Sequence, residues 1–210
     1  AYDGADTESD NLAIGYDALG SSIDGGEYNI AIGNYSLDAN TTGDYNLGIG
    51  HNALTANTAG ESNISLGYTS LYSNESGDRN IAIGTSSLYT NTTGNFNVAV
   101  GYNSLLLSTT ASSNTALGYN SLKTNTTGTL NVALGRDALI YNTTGSDNTA
   151  LGYHSLVDNT TGIRNIAIGN NAYDDADTEN DNLAIGYDAL GGAIDGGEYN
   201  VAIGNYTMDA

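Results

Sequence analysis

Apolar and polar positions follow one fixed order along the whole chain. An Asn, an aliphatic or Thr, a tiny residue, an aliphatic and a Gly recur twelve times, from Asn11-Leu12-Ala13-Ile14-Gly15 to Asn200-Val201-Ala202-Ile203-Gly204. Nine of the eleven spacings between these Asn residues are 17 residues, and the first and last are 18. A fixed period of this size marks a solenoid or array, in which each repeat buries its apolar face only by stacking on its neighbours. With the Asn as position 0, position 3 is always Ile, Leu or Val, position 4 always Gly, and position 8 is Leu in ten copies, Tyr173 and Met208 completing the set. Positions 11 to 14 mostly read Asn-Thr-Thr-Gly, as at Asn40 to Gly43 and Asn159 to Gly162.

Positions 1 and 3 alternate across position 2 with the period of a strand. Their β-branched content suits a pleated surface. The Gly at position 4 predicts a turn, and positions 6 to 9 predict a second short strand that carries the Leu. Asn-Thr-Thr-Gly is turn chemistry. Gly and Asn at every turn leave no run long enough for a helix. The expected fold is therefore all-β: a parallel β-solenoid, or β-roll, of about twelve 17-residue coils, two short strands per coil.

The pattern assigns faces. Positions 1 and 3 are expected to fill the interior with the Leu of position 8. Position 2 is expected to point outward, yet it is never larger than Ala or Ser. That constancy suggests a packed surface, which makes Ala13, Ala31, Ala82, Ala99, Ala116, Ala133, Ala150, Ala167, Ala184 and Ala202 the expected subunit interface, because parallel sheets are buried on both faces.

Stacking also aligns like with like. The position-0 Asn residues form a column able to bond from coil to coil. Tyr16, Tyr68, Tyr102, Tyr119, Tyr153 and Tyr187 share position 5, a ladder whose rings could also receive a sugar. Thr41, Thr92, Thr126 and their equivalents form a Thr column, which suggests ice binding as a further alternative but lies in a turn and not on a flat strand. Asn40, Asn91, Asn125, Asn142 and Asn159 sit in Asn-x-Thr sequons and are candidate glycosylation sites.

Composition narrows the function classes. The chain of 210 residues has 24 acids against Arg79, Lys123, Arg136 and Arg164, a net charge of -20. That balance argues against nucleic acid and anionic membrane surfaces as partners. No apolar run approaches the ~18 residues of a membrane span, so membrane insertion is not expected. With no Cys there is neither disulfide nor thiolate metal site, and His51 and His154 stand six coils apart without a neighbouring nucleophile. No phosphate-binding loop, dinucleotide fingerprint or nucleophile elbow occurs, and no cofactor or catalysis is expected. Oxygen ligands cluster only in the acidic turns, where Asp24, Glu27, Asp174, Asp175, Asp177, Glu179, Asp195 and Glu198 are weak candidates for Ca2+.

No linker or composition shift interrupts the array, which predicts one continuous domain over 1–210. Residues 1–39 return at 172–210 with 32 of 39 identical, a superperiod of 171 residues. The array begins and ends within coils, which favours a window of a longer array or subunits that stack end to end.

Asn80-Ile81-Ala82-Ile83-Gly84 and Asn165-Ile166-Ala167-Ile168-Gly169 resemble the head repeats of YadA-like trimeric autotransporters. The fuller pattern, Asn148-Thr149-Ala150-Leu151-Gly152 with Asn159-Thr160-Thr161-Gly162, is similar to repeats of phage tail-fibre proteins. This resemblance implies a left-handed roll, a parallel homotrimer, and a place on a cell or virion surface as a spacer or adhesive fibre. The expected function is a non-catalytic structural segment of an extracellular fibre or filament that self-associates. The alternative is an adhesin or receptor-binding head that recognises a cell surface or glycan.

Overall fold

The computed structural model describes residues 10–21, 25–175, 177–192 and 196–208. Each coil contributes one three-residue strand, from β1 (Leu12–Ile14) to β12 (Val201–Ile203). The twelve strands form a single sheet in sequence order, every neighbouring pair parallel. Equivalent positions lie opposite each other throughout, as in Ile81↔Val98 and Ala82↔Ala99. Eleven coil-to-coil steps of about 4.8 Å give a sheet roughly 53 Å long. No helix occurs among the described residues.

Among the described residues, the second strand expected at positions 6 to 9 does not form. Positions 6 and 8 adopt left-handed backbone, as in Ser86 (φ 53°) and Leu88 (φ 51°), and an extended strand cannot contain them. The segment is still laddered. The Leu88 N–H donates to the Ser104 carbonyl (2.9 Å) of the next coil, and the Ser86 N–H to the Tyr68 carbonyl (3.0 Å) of the previous one. Alternating left-handed residues turn the chain tightly without giving up its hydrogen bonds between coils. The Gly at position 4 is obligatory for a further reason. Gly33 has φ 134°, and a Cβ there would lie 2.6 Å from the carbonyl carbon of Gly50 in the next coil.

The core reverses the expected faces of the strand. Ala31, Ala82, Ala99, Ala116, Ala133, Ala150, Ala167, Ala184 and Ala202 are fully buried inside the coil stack, and Ala13 packs partly against it. These ten alanines are interior residues and not a subunit interface. The interior is narrow. Besides position 2 it holds the buried Leu of position 8, the small residue of position 7 and two columns of Asn. At Gly48, which takes the place of Ala, an added Cβ would meet the Ser36 side-chain oxygen at 2.6 Å and a Leu37 methyl at 3.4 Å. Nothing larger than Ala or Ser fits, which is the physical origin of the small residue in every copy.

Candidate functional site

The outward face of the sheet is the feature most open to a partner. Positions 1 and 3 point to solvent, and 22 of the 24 side chains there are Leu, Ile or Val, with Thr115 and Thr149 the exceptions. Exposure is 63% at Val201 and Ile203 in the last coil and 43% at Leu117 in the middle of the rod, while Ile81 and Ile83 are half-buried. The ribbon holds no charged residue, and the bordering position 5 holds no acid in any coil, although the chain carries 24. Isolated exposed aliphatics are ordinary, but a contiguous patch of this extent marks an interaction surface.

Two Asn columns fix the frame behind the ribbon. At position 0, the Asn114 Oδ1 accepts the backbone N–H of Asn131 (3.0 Å), and its Nδ2 donates to the Gly128 carbonyl (2.9 Å). The same pair of bonds recurs from Asn11 upward, so each Asn ties its own turn and also the next coil. The amide-to-amide contacts expected from the column are present but longer, as from Asn80 to Asn63 (3.2 Å).

The second column stands at position 11 and includes the sequon residues. The Nδ2 of Asn91 donates to Asn74 Oδ1 (2.7 Å) and to the Gly94 carbonyl (3.0 Å), spending both hydrogens. Asn142 and Asn159 do the same, and Asn40 and Asn125 each donate to the carbonyl of their own turn. All five are fully buried. A glycan on Nδ2 would have to displace these bonds and pass through packed core, so the five are ladder residues in the folded chain and not glycosylation sites.

The Tyr column is exposed and in part stacks on itself, whereas Tyr16 and Tyr187 meet Tyr35 and Tyr206 edge-on. Tyr102 and Tyr119 lie 5.4 Å apart and 10° from coplanar, and His51 stacks on Tyr68 at 5.5 Å. The Arg136 guanidinium lies 5.7 Å from the Tyr119 ring and 5.6 Å from that of Tyr153. Ring faces inside these stacks are covered by the chain's own rungs and present their edges outward, so a sugar would have no face to lie on there. The Thr column is likewise self-serving: the Thr92 hydroxyl donates to the Thr109 carbonyl (3.1 Å) and that of Thr126 to Thr143 (3.0 Å).

The acidic turns do not converge on a cation. Among the described residues no three His, Asp or Glu side chains come together as a ligand set, and Asp24 and Asp195 lie outside those residues. Glu179 is occupied as a turn anchor, accepting backbone N–H groups from Asp177 (3.0 Å), Thr178 (3.0 Å) and Gly196 (3.1 Å). Burial opposes its ionised form, but these donors outweigh it and hold its carboxyl below the ordinary range. Glu198 accepts from Asn180 (2.9 Å), and the Glu27 N–H donates to Asp44 (2.7 Å). Asp174 and Asp175 remain near Asp158, where burial first, with repulsion from Asp175 adding to it, raises the carboxyls of Asp158 and Asp174, a backbone hydrogen bond at Asp174 opposing the rise there.

The fold and its outward face thus define a repeat protein of the parallel β-solenoid class. Compared with family models, with curated proteins and with solved structures, the chain matches none. The sequence pattern located the position-0 Asn, Tyr and Thr columns but missed the ladder at position 11, whose Asn residues read as turn chemistry, and missed the ribbon, because a strand's period gives two faces and not which of them is inside.

Proposed function

We propose that this chain is a non-catalytic structural segment of an extracellular fibre, which associates laterally with copies of itself through the aliphatic ribbon. The ribbon carries this reading. Its aliphatic side chains, all partly or largely exposed, together offer on the order of 1,000 Å2 or more, against the ~800 Å2 per partner of a stable complex. A second copy suits it chemically. Chains of charge -20 repel one another everywhere except across an acid-free face, and an identical ribbon presents the same coil spacing. The resemblance to surface-fibre repeats favours a parallel homotrimer and a place outside the cell or on a virion.

Changing Ile81 and Ile83 together to Lys tests this reading. The wild type should scatter light as an oligomer, and the variant should keep its β-rich circular dichroism while falling to the 21.6 kDa of one chain. A wild-type chain that is already monomeric at micromolar concentration would exclude lateral association.

A further inference from the structure

The position-5 column contains an internal example of a cation used as a rung. Arg136 stands between Tyr119 and Tyr153, one coil below and one above, with its guanidinium within 5.7 Å of both rings. The column thus runs ring, cation, ring without a break. Asp137 also holds this guanidinium, accepting from Arg136 Nε (2.9 Å). Three coils earlier the two rings recur without the cation, and with Ser86 in the place of that carboxylate. Tyr68 and Tyr102 stand on either side of Thr85. Tyr68 rests on His51 with one face and Tyr102 on Tyr119 with one face, which leaves the other face of each turned toward the Thr85 rung. Thr85 is too short to reach between them. Both rings are open to solvent, 56% exposed at Tyr68 and 48% at Tyr102. Two coil spacings separate them, about 9.6 Å, the spacing that Arg136 bridges.

We propose that the gap between Tyr68 and Tyr102 is a slot for a guanidinium group supplied from outside this chain. A guanidinium is planar and weakly hydrated, so it stacks between two rings at little desolvation cost, whereas an ammonium holds its water more tightly. The charge of -20 draws cations toward the rod and repels anionic ligands. The chain's own Arg79 stands in another column, directly before Asn80 and 5.6 Å over the exposed Phe96 ring, so it does not fill the slot within its own chain. The guanidinium could belong to Arg79 of a second copy or to an arginine of a foreign basic peptide. The slot itself does not depend on lateral association.

Methylguanidinium is the probe, followed by the ring resonances of Tyr68 and Tyr102 in solution NMR. The expected result is a saturable shift of both rings, weaker with methylammonium at equal ionic strength. Thr85→Arg should abolish it by filling the slot from within, as Arg136 does, and Tyr68→Leu should abolish it by removing one wall. A shift in the wild type means that the slot is open to an external arginine. A shift that emerges only with Arg79→Gln means that a second copy fills it. No saturable shift in either protein, or a shift that Thr85→Arg leaves unchanged, overturns the proposal.

Discussion

Ser108 and Ala111 occupy the places where seven other coils carry an Asn and a Gly, and the two exchanges belong together. In the regular coils a Cβ on the Gly would strike the carboxamide oxygen of the Asn three residues earlier, at 2.7 Å for Gly43 against Asn40 and 2.5 Å for Gly60 against Asn57. Where the chain places the methyl of Ala111, the carboxamide has given way to the short side chain of Ser108. The exchange interrupts the inner Asn column. Asn91 Oδ1 and Ser108 Oγ are both buried without a hydrogen-bond partner.

Restoring the regular pair should therefore stabilise the rod. Ser108→Asn with Ala111→Gly gives Asn91 Oδ1 a donor and joins the ladder from Asn40 to Asn159, which should add about 1–2 kcal/mol. Ser108→Asn alone should lower stability, because its carboxamide meets the Ala111 methyl. Thermal unfolding of the two single variants and the double variant forms a cycle whose coupling is expected to favour the pair. Additive effects would disprove the steric link.

The two faces of the sheet should respond oppositely to volume. Ala82→Leu overfills a fully buried site and should cost about 2–3 kcal/mol. Ile83→Thr, on the outward face, should change the unfolding of the isolated chain by less than about 1 kcal/mol. Denaturant midpoints measure both, and a larger loss for Ile83→Thr would return the aliphatics to the core.

Left-handed backbone at exposed non-glycine positions offers stability to be gained. Ser113 has φ 62° and is exposed. Ser113→Gly should raise stability by about 1 kcal/mol and Ser113→Val should lower it by at least as much, because a branched side chain is worst at positive φ. A chemical melt in which valine equals serine would contradict the backbone assignment.

Stability should depend on pH in two opposed steps. Burial raises the carboxyls of Asp38, Asp158 and Asp174 above the ordinary 3.8. An acid whose folded pKa is raised favours folding when protonated and loses that contribution as pH rises through the folded value. Acidification from pH 7 toward the range just above 3.8 should therefore increase the melting temperature. Glu179 works in reverse. Its lowered carboxyl contributes stability present above the ordinary 4.5 and lost as pH falls below it. The melting temperature should pass through a maximum at mildly acidic pH. Asp158→Asn together with Asp174→Asn should flatten the rise on its neutral side, and Glu179→Gln should soften the fall on its acid side.

Much of this architecture is legible in the order of residues. The 17-residue spacing of Asn29, Asn46 and Asn63 fixes the coil, since only stacking at that period brings equivalent residues together. The strand at positions 1 to 3, the Gly turn, the buried Leu and the Asn, Tyr and Thr columns all follow from that period. The left-handed residues at positions 6 and 8 do not, because Leu88 and Ser86 carry no composition signal for positive φ and are held there by the turn and the ladder bonds around them.

What the sequence alone determined is the repeat and the membership of each column, because a period is a property of the covalent chain. What only the tertiary structure decided is direction. Ala82 inward with Ile81 and Ile83 outward is as consistent with a two-residue alternation as the reverse arrangement. The choice rests on room. The paired Asn columns and the Leu of position 8 already fill the narrow interior, so the strand can turn only its methyl groups inward and must leave its aliphatics outside.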